Sequence, residues 1–303
     1  MDRTKERPKR VFVSVPRDHN LGPSQRVLKQ ALLNKLRNNG LEPQEFQVSG
    51  LPLRSPYTFQ AVKDIMNRCH GALILAFARW RDQTEIRNGL AIPTVWNHFE
   101  GAFAVALKKE LLVITEQDVS ADGITWDGGG QLVLRAPTDA GPDWLESNDD
   151  AKRQVDAWID AVKAIDDIFL GYSSKARSTA NDIHKFLTSR GVSVRDWEID
   201  FAPGPTILES LFEASRNCLG AVMLLTRDDE FFGDENFAAP RDNVVFEMGM
   251  FMEAKGRERV LVVREQGAKM PADIGGGIYL SLKNRDDISS IHAGLLHFIE
   301  RQI

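Results

Sequence analysis

Residues 241–255 read Arg-Asp-Asn-Val-Val-Phe-Glu-Met-Gly-Met-Phe-Met-Glu-Ala-Lys. Asp242 and Asn243 are good N-cap residues, and the apolar run behind them meets no helix breaker other than Gly249. The stretch therefore predicts a helix over 243–255. Glu247 follows Asn243 by four residues, so both side chains share one face near the helix start. Every other residue from 244 to 252, Gly249 apart, is apolar. A carboxylate in such surroundings is either paired or put to use, because desolvating it alone is expensive. The helix N-terminus favours the anion and opposes the upward pKa shift of burial. The plain alternative is a core helix carrying one satisfied glutamate.

Outward from this helix, strands are predicted at 168–171, 192–196, 221–226, 259–264 and 278–282, with helices at 178–190, 206–216 and 288–301. The first half of the chain carries the same rhythm. Its strands are predicted at 10–15, 41–48, 71–77, 111–115 and 131–134, and its helices at 24–39, 58–69, 95–108 and 151–164. A polar, charged segment covers 79–88 and a turn-rich one 137–150. Buried strands alternating with helices specify a parallel, doubly wound α/β sheet. Two such domains in tandem, of flavodoxin-like or TIR-like type, are expected at 1–165 and 166–303.

The bulk composition fits this reading and excludes others. A chain of 303 residues has room for two cores. With 43% apolar and 27% charged residues and a net charge of -5, it lacks the basic stripe of a nucleic-acid binder. The basic lead-in of Arg3, Lys5, Arg7, Lys9 and Arg10 is read first as solubilising. No apolar run reaches the length of a membrane span, and the N-terminus has no signal-peptide core. Cys69 and Cys218 are the two cysteines, without zinc-type spacing, so a cytoplasmic, reduced protein without metal is expected.

A repeat supports the tandem reading. Cys69-His70-Gly71-Ala72 and Cys218-Leu219-Gly220-Ala221 lie at nearly the same offset as Phe99-Glu100-Gly101 and Phe246-Glu247-Met248-Gly249. In open α/β sheets the ligand sits beyond the carboxyl ends of the strands. In the second domain those ends carry Gly171-Tyr172-Ser173-Ser174-Lys175, Asp196-Trp197-Glu198 and Arg227-Asp228-Asp229, with Glu247 on the same rim. No Gly-x-Gly-x-x-Gly fingerprint follows the first strand and no Walker A motif occurs, which argues against dehydrogenase chemistry.

Several of these segments also arrive in a known order. They are Phe-Leu-Gly-Tyr-Ser-Ser at 169–174, Val-Arg-Asp-Trp at 194–197, Gly-Pro-Thr-Ile-Leu-Glu-Ser-Leu at 204–211 and Leu-Leu-Thr-Arg-Asp-Asp at 224–229. Ala-Pro-Arg-Asp-Asn-Val-Val-Phe-Glu-Met-Gly-Met-Phe at 239–251, Gly-Arg-Glu-Arg at 256–259 and Met-Pro-Ala-Asp-Ile-Gly-Gly at 270–276 follow. In these pieces residues 168–282 resemble a bacterial TIR-like family, whose members are best known as NAD-cleaving effectors of cyclic-nucleotide-activated anti-phage defence. The resemblance implies that Glu247 is the catalytic glutamate of the Phe-Glu-x-Gly motif. It implies an NAD+ hydrolase with NAD+ as substrate and no further cofactor. A fixed carboxylate near the ribose would stabilise the oxocarbenium-like state, and nicotinamide leaves neutral, so no general acid is needed. By the same resemblance Trp197 offers a stacking face, while Ser173 and Ser174 bond ribose or phosphate. Arg241 and Asn243 position Glu247 or the phosphates, and Asp229 shares their rim. TIR sites are often completed by a neighbouring protomer, so a homo-oligomer on activation is implied.

In the first domain Glu100 stands where Glu247 stands in the second, and the strand at Phe12 leads into Ser14, Pro16 and Arg17. That arrangement is similar to nucleoside deoxyribosyltransferases and to TIR domains generally. It departs from them in Thr94-Val95-Trp96-Asn97-His98, which replaces the Asn-Val-x-Phe lead-in. Three roles follow: a second glycosidic-bond enzyme using Glu100, a sensor for a nucleotide-derived activator, and a scaffold for self-association. A sensor joined to an effector is the usual architecture around this family and is the favoured role, with Ser14, Arg17, His98 and Glu100 as its ligand site. The rivals to the whole reading are a non-catalytic nucleotide-binding signalling module and a nucleoside-processing enzyme.

Overall fold

The computed structural model describes residues 6–45, 58–81, 90–200, 206–231, 234–272 and 279–303. Arg3 and Lys5 of the basic lead-in and residues 46–48, 82–88, 204–205, 273–276 and 278 of the expected segments lie outside the described residues. Contacts divide the chain into an N-terminal unit, Pro8–Ala164, and a C-terminal unit, Ile165–Ile303. Arg7 belongs with the latter, its N–H donating to Gly191 O at 2.9 Å.

The N-terminal unit begins β1 (Lys9–Ser14), α1 (Pro23–Asn38), β2 (Leu41–Glu45), α2 (Phe59–Asn67) and β3 (Gly71–Ala76). A short antiparallel hairpin, β4 (Trp80–Arg81) and β5 (Ala91–Ile92), precedes α3 (Val95–Ala106). β6 (Glu110–Glu116), β7 (Leu132–Ala136), the short α4 (Trp144–Ser147) and α5 (Asp149–Lys163) complete it. The five strands lie in the order β2-β1-β3-β6-β7, every pairing parallel. Along β1, Val11 and Val13 join the core beneath α1 and α5, with Leu28, Leu32, Trp158 and Ile159. Phe12 points to the opposite core, with Val62 and Met66 of α2 and Ala104 of α3. Both faces are covered, which is why these strands read as unbroken apolar runs.

The C-terminal unit repeats the plan: β8 (Asp166–Gly171), α6 (Arg177–Ser189), β9 (Val194–Asp196), α7 (Trp197–Asp200), α8 (Ile207–Arg216) and β10 (Cys218–Leu225). A hairpin of β11 (Asp229–Phe231) and β12 (Asp234–Ala239) again precedes the next helix, α9 (Asp242–Lys255). β13 (Val260–Glu265), β14 (Tyr279–Leu282) and α10 (His292–Gln302) close the unit. Its sheet, β14-β13-β10-β8-β9, is the same strand order read from the other edge, and again all parallel. Two doubly wound α/β units are therefore the observed fold. In each, the winding reverses on either side of the first strand. The ligand crevice of such a sheet falls at that reversal: between β1 and β3 in one unit, between β8 and β10 in the other.

The two hairpins and the one-turn helices α4 and α7 are absent from the sequence reading. The hairpin strands are short and charged, Trp-Arg and Asp-Glu-Phe, with no run of alternating apolar residues to announce them.

Candidate active site at the carboxyl ends of the C-terminal sheet

α9 is held by Val244, Met248 and Phe251, all buried on one stripe at helical spacing. The Phe251 ring stacks on Phe169 of β8 with centroids 4.6 Å apart, which fixes the helix over the strand. Glu247 immediately precedes Met248 at the edge of this stripe, while Phe246 and Gly249 on either side are exposed. The helix ends at Gly256, whose φ of +87° suits glycine. Its start corrects the sequence expectation, because the N-cap is Arg241 and no side chain caps from that position. Instead the Arg241 N–H donates to Asp228 Oδ2 at 3.2 Å. Asp242 Oδ1 receives the neighbouring Asn243 N–H at 2.9 Å, and Asn243 itself is exposed.

Glu247 Oε2 is buried and has no hydrogen-bond partner among the described residues. It lies against the end of β8: a Cβ at Gly171 would come within 3.2 Å of Glu247 Oε2 and 2.5 Å of Met223 Sδ. Gly171 and Met223 are register partners across β8 and β10, so the carboxylate sits at the crevice between those two strands. Burial alone pushes the Glu247 pKa from 4.5 up to about 7. The expected counterweight from the helix N-terminus is not realised. Glu247 lies in the second turn of α9, and the dipole effect falls off within the first.

Three further polar atoms at this end of the sheet are buried without partners among the described residues: Ser173 Oγ, Trp197 Nε1 and Asp196 Oδ2. Ser173 lies two residues past the end of β8, and Trp197 opens α7 after β9. The Trp197 ring lies 5.8 Å from that of Tyr172 and packs against the apolar clusters on both faces of the sheet. It is thus a wall of the site more than an open stacking plane. The Tyr172 hydroxyl donates to buried Asp196 Oδ1 at 2.7 Å. Burial first, then that bond, holds the tyrosine proton well above its usual range. A carboxylate oxygen, a hydroxyl and an indole N–H left unpaired in a desolvated place suit a ligand that brings its own hydroxyls and positive charge.

The rim around them is tied together by ion pairs. Lys175 Nζ donates to Asp228 O at 2.5 Å and lies 4.0 Å from Asp229. Arg241 Nη1 lies 3.4 Å from Asp229 Oδ1, so its guanidinium is engaged with Asp229. Of the two roles expected for Arg241, positioning Glu247 or the phosphates, this pairing places its guanidinium in the rim network with Asp229. Ser174 is exposed and opens the single 3-10 turn that precedes α6. Buried Asp228 accepts from Thr226 Oγ1 at 2.8 Å. Arg285 meets both oxygens of Glu265 at 2.7 Å, donates to the backbone oxygens of Arg227 at 2.9 Å and Lys175 at 3.3 Å, and stands 3.9 Å from Asp228. The sequence reading missed Arg285 and Glu265. Nothing local marks Arg285, which lies far along the chain from the loops it joins.

In the N-terminal unit, Asn97 Nδ2 donates to Ser14 Oγ at 2.9 Å, while Asn97 Oδ1 accepts from the Thr94 N–H and hydroxyl at 3.2 and 2.6 Å. Glu100 lies one turn further along α3 and is buried. These residues and Arg17 border a cleft of about 610 Å³ beyond the carboxyl ends of β1 and β2. Lys29 in the same cleft is held between Asp18 at 2.8 Å and Glu45 at 2.6 Å. His98 is not part of it. Its Nδ1 accepts the Ile124 N–H at 3.3 Å, and a Cβ at Gly123 would meet that atom at 2.7 Å. His98 and Glu100 are two positions apart on one helix and cannot face the same way, which corrects the expectation that His98 shares a ligand site with Ser14, Arg17 and Glu100. No cluster of His, Cys, Asp or Glu suited to a metal ion occurs among the described residues. No described helix is long and apolar enough to cross a membrane.

Residues 167–284 match the family model described as CAP12/Pycsar effector protein, TIR domain. A CD-NTase-associated protein 12 from Sphingobacterium faecium is 34% identical over 110 residues, 36% of this chain and 34% of that protein. The Pycsar effector protein PaPycTIR of Pseudomonas aeruginosa is 31% identical over 113 residues, 36% of this chain and 37% of its own. BcPycTIR of Burkholderia cepacia reaches 52% identity over 40 residues, 12% of this chain and 13% of its own. The matched segment thus spans about a third of the first two of these relatives.

Proposed function

We propose that the C-terminal unit, which carries a TIR domain of the bacterial effector kind, is an NAD+ hydrolase that breaks the nicotinamide–ribose bond. The observation that carries this reading is the unpartnered Glu247 Oε2, desolvated at the crevice beside Gly171. A buried carboxylate without a counter-charge is costly in the empty site and is stabilised when a cation enters. The nicotinamide ribosyl group of NAD+ is such a cation, and its positive charge moves toward the ribose as the bond breaks. Glu247 would then stabilise the oxocarbenium-like state more than the ground state, which is what lowers a barrier. Nicotinamide departs with the bonding electron pair as a neutral molecule. Water, or the adenine base in a cyclised product, takes its place at the anomeric carbon. Ser173 Oγ and Trp197 Nε1 supply unpaired hydrogen-bonding atoms for the rest of the nucleotide. No further cofactor is required by this step.

In this reading the protein is a cytoplasmic effector of anti-phage defence. A nucleotide-derived ligand of the N-terminal unit turns it on, and the active form is a homo-oligomer. Consumption of NAD+ by the purified protein, compared with Glu247→Gln, tests the catalytic half directly. The gating half is tested by repeating the assay across a panel of linear and cyclic nucleotides.

A further inference from the structure

The N-terminal unit holds a further groove at the opposite end of its sheet from the cleft described above. It runs past the amino ends of β6 and β7, between the last turn of α3 and α5, with a volume of about 610 Å³. That size lies in the range of small-molecule sites. Val105 and Leu132 border it, and Leu111 and Trp158, 9% and 5% exposed, form its base. Trp158 packs in the core beneath α1 and α5, yet its Nε1 has no hydrogen-bond partner among the described residues. A buried indole N–H is ordinarily paired, because a desolvated donor left unmet is costly. The fold does not call for this donor. α5 and α10 each follow the last strand of their unit, and their buried residues share one spacing: Val155, Trp158 and Ile159 in the first, Leu295, Phe298 and Ile299 in the second. Phenylalanine, which has no polar side-chain atom, thus fills the same place in the second unit. Gln154 lies one turn before Trp158 on the same face of α5 and borders the groove too. Its Nε2 donates to Asp150 Oδ2 at 2.7 Å. A carboxylate can only accept, so this bond sets the orientation of the amide and leaves Oε1 to accept from a ligand. Lys109 is taken up by the carbonyls of Cys69 at 2.6 Å and Asn67 at 3.4 Å, and Glu110 beside it is exposed. The groove therefore has little with which to hold an anion.

We infer that this groove binds a small neutral carboxamide or lactam, its carbonyl accepting from Trp158 Nε1 and its N–H donating to Gln154 Oε1. A donor and an acceptor one helical turn apart match the C=O and N–H that such a group presents side by side. The apolar side chains of Val105, Leu111 and Leu132 suit the ring that carries it. Nicotinamide, which the proposed hydrolysis would release, has this chemistry, and so has the edge of uracil. With nicotinamide as occupant, the groove is a product sensor in the same chain as the catalytic unit. That role rests on the NAD+ hydrolase reading, whereas the binding itself does not.

The test is a titration of the full chain, isotope-labelled at its tryptophan indole nitrogens and followed through the indole N–H resonances. The chain has six tryptophans, and Trp158→Phe, which copies the second unit, identifies the Trp158 signal by its loss. The probes are nicotinamide, uracil and nicotinate, each raised to about 10 mM. Nicotinamide or uracil is expected to move the Trp158 resonance saturably, and the one that does so names the source. Nicotinate, an anion without the amide N–H, is expected to bind at least about tenfold more weakly than nicotinamide. Gln154→Leu changes a half-buried side chain at the surface of α5 and is expected to weaken binding by about tenfold. The inference is overturned if neither carboxamide nor lactam moves that resonance at about 10 mM. It is equally overturned if nicotinate moves it as readily as nicotinamide, or if the folded Gln154→Leu protein binds as the parent does. The readout is a binding shift at Trp158, so a failure of NAD+ turnover leaves it unaltered and the two failures are told apart.

Discussion

Gly171 and Glu247 share one small volume, since a Cβ at position 171 would stand 3.2 Å from Glu247 Oε2. The glycine closes β8 and the glutamate rides on α9, so the side-chain-free strand end is what lets the carboxylate reach the crevice. Gly171→Ala would also press on Met223 Sδ at 2.5 Å. The variant is expected to lose about 1–2 kcal/mol of stability through overpacking, and to lose NAD+ turnover by a larger factor than stability explains. Denaturant unfolding measured beside turnover checks both parts.

The protonation of Glu247 gives a signed pH prediction. Its folded pKa, about 7, is raised above 4.5, so the folded state holds the proton more tightly than the unfolded chain does. Stability therefore falls as pH rises from about 4.5 through about 7 and is level above that. Glu247→Gln removes the penalty. It should exceed the parent by about 3 kcal/mol at about pH 8, with the gain gone at about pH 4. Unfolding midpoints across that range are the measurement.

Gly249 sits within α9, is exposed, and has open space where a Cβ would go. Packing gives no reason for glycine there. Gly249→Ala is expected to stabilise the unit by about 0.5–1 kcal/mol through the lower conformational entropy of the unfolded chain. Unchanged turnover would place the position outside the substrate path, whereas a fall would show that a ligand or partner approaches that face.

Arg285 draws together the loops after β8 and β10 and the end of β13 through Lys175 O, Arg227 O and Glu265. Arg285→Lys keeps the charge but loses the two-pronged contact, so a loss of about 2 kcal/mol is expected from a change that is nominally conservative. Thermal unfolding of the variant, compared with Arg285→Met, separates lost geometry from lost charge.

Much of the architecture is legible in the sequence because its strands are buried on both faces. The runs that became β3 and β10, Gly-Ala-Leu-Ile-Leu-Ala and Cys-Leu-Gly-Ala-Val-Met-Leu-Leu, have no amphipathic reading to compete. The hairpin β11–β12 is set by tertiary pairing, as in the Asp228 N–H to Ala239 O bond of 3.1 Å, which leaves no periodic trace. The start of α9 was misplaced for a similar reason. The N–H of its N-cap residue, Arg241, is satisfied by Asp228, a residue before the hairpin and not next to the helix. Glu247 was visible as a lone acid among apolar neighbours, but the sign of its pKa shift turned on how far into the helix it stands. His98 next to Glu100 was a neighbour in sequence and not in space. Arg285 could not be found from its own surroundings, since its importance lies in the distant loops that it joins.

The most direct measurement is the rate of NAD+ consumption by the purified full chain beside Glu247→Gln, at about pH 8 and across the nucleotide panel. The account predicts turnover in the parent under at least one of those conditions and a fall of at least about 100-fold in the variant. Equal turnover in parent and variant would contradict it, as would turnover that Glu100→Gln abolishes while Glu247→Gln spares it. No consumption under any condition would contradict it too.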